Sequence, residues 1–547
     1  MKKCKKAISL ILGIVMCLFM LTACGNNNSA NQNSPDTSTT PGQSSPDTST
    51  TPGQSPSAGA ETKYKEHLDI IVQGAAPTII NPFTPAATAT GNCWVFILAF
   101  DRLVERDHAT GEFYPALASS WKTDDYKTYT FNLRDDVFFH NGDKFTADDV
   151  IKTIELSREV GAGSGGYSTW AAIDSYKAVD DYTVEFVLNN VDVDFIFGLS
   201  MPYAIILNTS AIEKDFDSGM MIGTGAFKVD DFESGLTATL VRNHDYFDTT
   251  KNIVTEAITL RYVADDNVRT IRMQNGESDI CLLTPAIDFH IFEDDPDHYG
   301  TYLSAVNSIN GYGFNFNDPL MKDFNLRMAI MYATDRESII QLADMKALTT
   351  NDGTVWGLEM EFRNTDIPVI PFDLAEAKRY LELSSYNGEV IEITAGMVQT
   401  IKQAAILQQQ LAAIGINTTI NETDQTGLFA YALPADSPAQ IIFHNLAFSL
   451  SAASARNAFY PGGSTNYMNY NNPEVNKLIE AGSSITDKAE REANYKKIQE
   501  IVAKDAPFYN FAYSYLTISY QNGVGGLLPL PSTNTQYDLR EVYRIID

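Results

Sequence analysis

The chain has 547 residues, 44% of them hydrophobic, and its 69 acidic against 39 basic residues give a formal net charge of −30. This length predicts two or three folded domains, and the negative charge argues against binding to nucleic acid or anionic lipid, since both repel it. The sequence contains no Walker A motif, and no G-x-S-x-G elbow precedes a helix. We therefore expect neither an ATPase nor a serine hydrolase site, and no cofactor.

The first 24 residues have the pattern of an export signal. Four lysines precede an apolar run from Ala7 to Met20, which is shorter than a typical membrane-spanning helix. The run ends in Leu21-Thr22-Ala23-Cys24-Gly25, which resembles a bacterial lipobox. We expect residues 1–23 to be removed as a lipoprotein signal peptide, and a lipid on Cys24 to anchor the mature chain outside the cytoplasm at the cell membrane. The alternative is an ordinary cleaved signal.

Residues 24–64 are predicted to form a disordered linker. The segment is rich in Asn, Ser, Thr, Pro, Gly and Gln, and the sequence SPDTSTTPGQS occurs from Ser34 to Ser44 and again from Ser45 to Ser55. Such a composition cannot bury enough apolar surface to offset the entropy of ordering the chain. The segment is suited to be a spacer between a lipid and a folded body.

The remaining body mixes helix and strand signals, which indicates an α/β or α+β fold. Tyr129–Leu133 and Tyr182–Leu188 alternate apolar and polar residues as half-buried strands do. Thr146 and Asp373 each precede an apolar periodic run with an acid three residues later, the pattern of a helix N-cap. Another helix is predicted from about residue 401 to 414, ended by Gly415.

Several motifs that suggest chemistry have simpler structural explanations. Gly161–Gly166 matches G-x-G-x-x-G, but it follows a helix rather than a strand, so we expect a loop and no dinucleotide site. His290 and His298 flank four acidic residues without a known metal-ligand spacing, which favours an acidic surface loop. Cys93 and Cys281 can form a disulfide in an oxidising compartment. We expect two buried thiols instead, because a folded body of this size does not need a disulfide for stability.

Characteristic motifs follow one another along the body. They are densest in one stretch, which contains Phe100–Val104, Gly111–Trp121, Tyr129–Arg134, Val137–Gly142 and Phe145–Val150. Later segments, among them Gly223–Val229 and Leu240–Phe247, continue the series. In this order the motifs resemble those of the extracellular solute-binding proteins of family 5, the binding components of peptide and nickel ABC importers. The resemblance includes His140, which we expect to be structural.

The resemblance implies an α/β, two-lobed, periplasmic-binding-protein-like flytrap with a subdomain inserted in its N-terminal lobe. It implies a monomer without catalytic residues or metal, which closes on a solute and delivers it to ABC permease subunits with separate ATPase subunits. Lobe I would consist of residues 65–100, 215–310 and 508–547, the insert of residues 101–214, and lobe II of residues 311–507.

The resemblance leaves the solute open. Peptide-binding members of the family hold the ligand amine with an aspartate in a D-Y-x-x-P segment, whereas this chain reads His444-Asn445-Leu446-Ala447-Phe448-Ser449 there, with Ala447 nearest the aspartate. An oligopeptide or dipeptide is the expected solute. The alternatives are a metal chelate, an opine or an oligosaccharide, or a sensor that has lost its transporter.

Candidate ligand-binding residues are aromatic and polar side chains near the expected cleft. Aromatic walls suit sugar faces, apolar side chains and organic cations, and an arginine can pair with a ligand carboxylate. We expect the solute to contact Asn92, Trp94, Tyr312, Trp356, His444, Asn445, Phe448 and Arg456.

Overall fold

The computed structural model covers most of the body. The expected signal peptide, Cys24, the duplicated linker and most of the Gly161–Gly166 motif lie outside the described residues. Among the described residues, no helix combines the length and the apolarity needed to cross a bilayer. The structure describes residues 62–73, 77–83, 90–107, 110–161, 167–343, 347–350, 352–530 and 536–546.

Two long antiparallel strands, Tyr299–Phe314 and Phe508–Gln521, run through both lobes. At about 3.4 Å per residue, the first of them is on the order of 50 Å long. Their pairing shifts register between Ala305 and Ile309, near the middle of the first strand. The second strand places Leu516 and Ile518 in the core of lobe I and its first residues in the cores of lobe II. The first strand packs Tyr299 against a small lobe I cluster and Tyr312 in lobe II. Both strands therefore connect the lobes, and their pairing is irregular where they cross from one lobe to the other.

The lobe I part of the sheet is built around His67–Gln73, whose Leu68, Ile70 and Val72 are fully buried against the apolar helix Thr90–Ala99. This strand pairs in parallel with both of its neighbours, as buried strands do. The strands on this side are Ile280–Leu282, His67–Gln73, Ala257–Val263, Thr237–Arg242 and Phe227–Glu233, and further helices are Asp266–Gln274 and Phe289–Glu293.

The insert has its own sheet and its own core. Tyr129 and Phe131 alternate with polar residues and point to the same buried face, as their spacing predicts. The helix Ala147–Val160 begins at Thr146, whose backbone N–H donates to the Asp149 carboxylate at 3.0 Å in the predicted capping box. The antiparallel sheet has the order Ala118–Lys122, Thr128–Leu133, Thr183–Leu188 and Ile173–Asp180, with a hairpin Val104–Arg106 and Phe113–Pro115 and the short helices Tyr167–Ala171, Phe195–Leu199, Thr209–Lys214 and Phe216–Gly219.

Lobe II extends the same sheet. Val390–Ala395 lies between two parallel neighbours, and the helix Val398–Ala412 crosses over to the edge strand. Gly415 ends that crossover with a φ of +88°, a left-handed conformation that favours glycine. The strands are Asn417–Glu422, Val390–Ala395, Ile441–Ala447 and Ala347–Thr349, and the helices are Phe324–Tyr332, Arg336–Leu342, Leu374–Leu383, Val398–Ala412, Gln425–Ala432, Ala455–Phe459, Pro473–Gly482 and Lys488–Asp505.

The body is therefore the α/β, two-lobed fold with an inserted subdomain that the resemblance implied. Contacts of two segments cross the expected domain boundaries. Lys63 and Tyr64, expected in the linker, pair with Ile546 and Ile545 near the C-terminus. Residues 508–513, expected in lobe I, pack in the core of lobe II because a single strand spans both lobes. Small sheets join Lys63–Tyr64, Tyr543–Ile546 and Val524–Gly525, and also Leu528–Leu530 and Gln536–Asp538.

Buried polar contacts attach the insert to lobe I. His140 receives a hydrogen bond from the Gly223 N–H at 3.3 Å, and its Nε2 lies 3.0 Å from the Gly225 carbonyl oxygen. Burial lowers the pKa of His140 to about 4, so the ring is neutral at pH 7. His140 therefore contributes to the contact between the insert and lobe I, the structural role expected from the sequence.

The C-terminus is held by a buried ion cluster centred on Arg540. Its guanidinium donates to Glu105 of the insert at 2.7 and 2.8 Å and to Asp538 at 2.6 Å. Burial alone would raise the pKa of Glu105, but Arg540 holds it well below its usual range. Cys93 and Cys281 are both buried thiols, as expected.

Candidate functional site

A cavity of about 300 Å³ lies between the insert and lobe II. One wall is formed by the insert and the other by the chain that follows the strand Ile441–Ala447. The described lining residues are Thr169, Ala172, Asp192, Asp194, Phe195, Phe197, Gly198, Met201 and Tyr203 from the insert, and Ala447, Ser449, Ser451, Ala453, Ser454, Arg456 and Asn457 from lobe II.

The lobe II wall is held from behind by aromatic packing. Phe448 and Phe459 flank this wall in sequence, and their rings stack on Trp356 at centroid distances of 6.2 and 6.4 Å. All three are buried, so they fix the loop and the short helix Ala455–Phe459 between them. The Ser451 hydroxyl receives a hydrogen bond from the Ala453 N–H at 3.1 Å, which starts a 3₁₀ turn. The polar side chains of this wall therefore stand on a rigid support.

The insert wall is held in the same way. Phe195 packs on Tyr129 with ring centroids 5.0 Å apart, in the core of the insert. The Tyr129 hydroxyl donates to the main-chain oxygen of Asp192 at 3.0 Å. The short helix Phe195–Leu199 follows directly. Two acidic side chains thus project from a fixed turn towards lobe II.

A clamp joins the two walls. The Asp194 carboxylate accepts a hydrogen bond from the Ser451 hydroxyl at 2.8 Å and pairs with the Arg491 guanidinium at 2.5 Å. Nearby, the Val193 N–H donates to the Ser483 carbonyl oxygen at 3.0 Å. We call these contacts between residues 191–194 and lobe II the clamp. The structure has the lobes in contact, with the cavity between them.

Arg491 is held on the lobe II side whether or not the clamp forms. Its Nε donates to the Gly482 carbonyl oxygen at 3.1 Å, and its guanidinium lies 5.5 Å from the centroids of the Phe362 and Tyr495 rings. A second carboxylate, that of Glu361, lies 3.7 Å from Nη1. Lobe II therefore presents a fixed cation to the insert.

Asp192 lies beside the clamp and lines the cavity. One of its carboxylate oxygens accepts the Asp194 N–H at 2.9 Å. Burial, reinforced by the charge of Asp194 and opposed by that of Arg491, raises the pKa of Asp192 to about 6. The ionised form is therefore destabilised in the solute-free protein.

Of the predicted ligand-binding residues, Arg456 lines this cavity. Its guanidinium lies 3.9 Å from the centroid of the Tyr460 ring, and no described carboxylate pairs with it. Ala447, at the place of the family aspartate, lines the cavity too. Contact of Arg456 with a solute stays a prediction.

The structure places the other predicted residues away from the lining of this cavity. Trp94 is buried in the core of lobe I, two residues after the also buried Asn92 on the helix Thr90–Ala99. Tyr312 is enclosed in lobe II, where its hydroxyl lies 2.6 Å from that of Thr334. Trp356 and Phe448 support the wall without lining it.

His444 and Asn445 lie on the strand Ile441–Ala447 and do not line the cavity. The His444 ring is buried 4.5 Å from that of Tyr467, and its Nδ1 lies 3.1 Å from the Ile442 carbonyl oxygen. Burial lowers its pKa to about 4. Asn445 is half-buried opposite Asn310 on the long strand of lobe II.

The sequence analysis missed Asp192, Asp194 and Arg491. They form no motif, and Asp194 contacts partners 257 and 297 residues further along the chain. The sequence offered one indirect signal. Residues 447–457 contain no acidic side chain, so a carboxylate that binds a ligand amine would have to come from another segment.

Comparisons with known proteins agree on one family. A profile of the bacterial extracellular solute-binding proteins, family 5 (middle), matches residues 112–481. The oligopeptide-binding protein AppA of Bacillus subtilis is 24% identical over 94% of both chains. The heme-binding protein A of Haemophilus influenzae is 25% identical over 76% of this chain and 81% of its own.

Among solved structures, the ABC transporter substrate-binding protein CtaP of Listeria monocytogenes is similar, with a TM-score of 0.76 at 25% identity. The match covers 88% of this chain and all of that one.

Proposed function

The chain belongs to the family 5 bacterial extracellular solute-binding proteins, and from this premise we propose that it captures peptides for an ABC importer. It is a binding protein rather than an enzyme. In the proposed cycle the lobes open at the two long strands, a solute enters between the insert and lobe II, and the clamp closes over it. The closed protein then delivers the solute to the permease.

The cavity between the walls is the observation that carries this proposal. It is enclosed by segments from different lobes, so a solute held there contacts both of them. Contacts that exist only in the closed form are what a ligand needs to shift an open–closed equilibrium. The clamp supplies further contacts of the same kind, because Asp194 and Arg491 stand on opposite lobes.

A peptide is the solute that the cavity and the relatives support best. The cavity offers carboxylates on one wall and Arg456 on the other, which suits a zwitterion. The relative named as an oligopeptide-binding protein also covers 94% of the chain. A non-peptide solute is the second candidate, because the relative from Haemophilus influenzae is named for heme.

We also propose that a lipid on Cys24 anchors the protein outside the cytoplasm, with the repeat-containing linker as spacer. The proposed partners are permease subunits with separate ATPase subunits, and the protein works as a monomer. Replacing Cys24 with serine should release the protein from membranes into the medium, as fractionation would show. Continued membrane association of this variant would contradict the anchor.

The function is tested by thermal unfolding of the purified protein with pools of di- to hexapeptides, heme, opines, sugars and nickel chelates. A ligand that binds the native state stabilises it by about 2.7 kcal/mol at 100 times its Kd. We expect free peptides to raise the Tm. A rise with heme or a chelate alone would replace the peptide by that solute, and no rise with any class would refute solute capture.

A further inference from the structure

The two walls of the cavity differ in charge. Among its described lining residues, the carboxylates are Asp192 and Asp194, and both come from the insert. The lobe II wall supplies serines and Arg456 but no acid. A cationic group inside the cavity would therefore find its counter-charge on the insert side.

The two carboxylates are not equivalent. Asp194 is engaged by the Ser451 hydroxyl and the Arg491 guanidinium, which together occupy both of its oxygens. Asp192 accepts one backbone hydrogen bond on Oδ1. Its other oxygen has no hydrogen-bond donor among the described residues, and no described cation forms an ion pair with it. Within this cavity, Asp192 is the carboxylate that remains available.

We infer that Asp192 is the specificity-determining residue that binds a primary ammonium of the solute, an inference that rests on the proposed function. Charge-assisted hydrogen bonds between an ammonium and a carboxylate are among the strong ones, and an ammonium carries three donors for the available oxygen and neighbouring acceptors. Phe195 and Phe197 line the same cavity, and apolar lining strengthens a charged hydrogen bond by lowering the local dielectric constant.

The surroundings of Asp192 leave a charge to be neutralised. The titratable groups facing it are Asp194, which repels it, Arg491, which attracts it from lobe II, and Tyr129, which binds its main-chain oxygen. The effect of burial on the pKa of Asp192 is larger than the effect of Arg491, so this pKa is raised. An ammonium in the cavity supplies the missing positive charge and favours the ionised carboxylate.

Arg456 completes the recognition of a small zwitterion. It lines the same cavity from the opposite wall and is free of any described carboxylate partner. A solute with an ammonium at Asp192 and a carboxylate at Arg456 bridges insert and lobe II. Such a solute would bind the closed protein more tightly than the open one, which couples recognition to closure.

The test compares Asp192→Asn with Asp174→Asn, which removes the same charge from an exposed site on the insert. The probes are a pool of free dipeptides and the same pool with acetylated N-termini, with Kd measured by isothermal titration calorimetry. We expect Asp192→Asn to raise the Kd for free dipeptides about 10- to 100-fold, the usual range for loss of a charged hydrogen bond. Asp174→Asn should leave it unchanged.

The wild-type protein provides a second measurement that needs no variant. Its affinity for acetylated dipeptides should be lower than for free ones by a similar factor. Equal affinity for both pools, or an unchanged Kd in Asp192→Asn, would overturn the ammonium site while leaving solute capture intact. A protein that binds no solute of any class would instead refute the proposed function, and the ammonium site with it.

Discussion

The clamp makes a quantitative prediction about solute affinity. Asp194→Asn keeps the shape of the side chain and its bond to Ser451 but removes the charge that pairs with Arg491. The two side chains are 15% and 11% exposed, so solvent screens the pair only in part. Loss of one charge-assisted hydrogen bond of this kind costs about 1.5–3 kcal/mol.

Because the pair can form only when the lobes meet, this cost falls on the closed state alone. If the solute binds the closed form and the open form predominates in solution without it, the Kd rises by the same factor as the closing equilibrium falls, about 10- to 150-fold. Isothermal titration calorimetry measures the affinity, and small-angle X-ray scattering measures the fraction closed at saturating solute. Asp174→Asn serves as the charge-matched control.

Two results would refute this reasoning. A Kd within about twofold of the wild-type value would show that the pair adds nothing to closure, as many exposed ion pairs do. A loss of affinity together with a lower melting temperature of the solute-free protein would show that Asp194 supports the fold rather than the closed state.

Four further predictions concern charge and packing. Peptide binding should weaken about 10-fold between pH 7.5 and pH 5, because Asp192 has a pKa of about 6 and is protonated below that pH. Calorimetry at both pH values tests this. An equal loss of affinity in Asp192→Asn would assign the effect to another group. The same raised pKa means that the solute-free native state binds this proton more tightly than the unfolded chain does, so the contribution of Asp192 to the free energy of unfolding rises as the pH falls from 7 to 5. Trp356→Ala should lower the free energy of unfolding by about 3–5 kcal/mol, because the ring is fully buried and packs on Phe448 and Phe459. Urea unfolding measures this free energy. A loss of solute affinity with unchanged stability would instead place the tryptophan at the solute. Arg540→Met should cost about 3–5 kcal/mol, since it leaves the buried Asp538 carboxylate without its guanidinium partner and leaves Glu105 with Arg102 alone. An unchanged urea midpoint would contradict this.

Local chemistry made much of the fold predictable. Thr146 and Asp373 cap helices as predicted, because a cap depends on a few neighbouring residues. The alternation in Thr128–Leu133 fixed its buried face for the same reason. The lobe boundaries were less predictable, since a strand such as Phe508–Gln521 passes through both lobes without a change in its pattern.

The candidate site was harder to predict because its residues are distant in sequence and ordinary in composition. Aromatic side chains fill cores as readily as they line clefts, so Trp356 and Tyr312 gave no signal that separates the two. Arg456 lines the cavity from the short helix Ala455–Phe459, whose position depends on the packing of Trp356 and Phe459. Asp192 and Asp194 reach the site only through the packing of the insert on lobe II, which no local pattern encodes.

A crystal structure of the protein with a bound peptide would test the central claim most directly. The account predicts closed lobes, with the peptide between residues 192–203 of the insert and residues 447–457 of lobe II, and its ammonium on Asp192. A peptide bound outside this cavity, or a saturated protein with its lobes apart, would contradict the account.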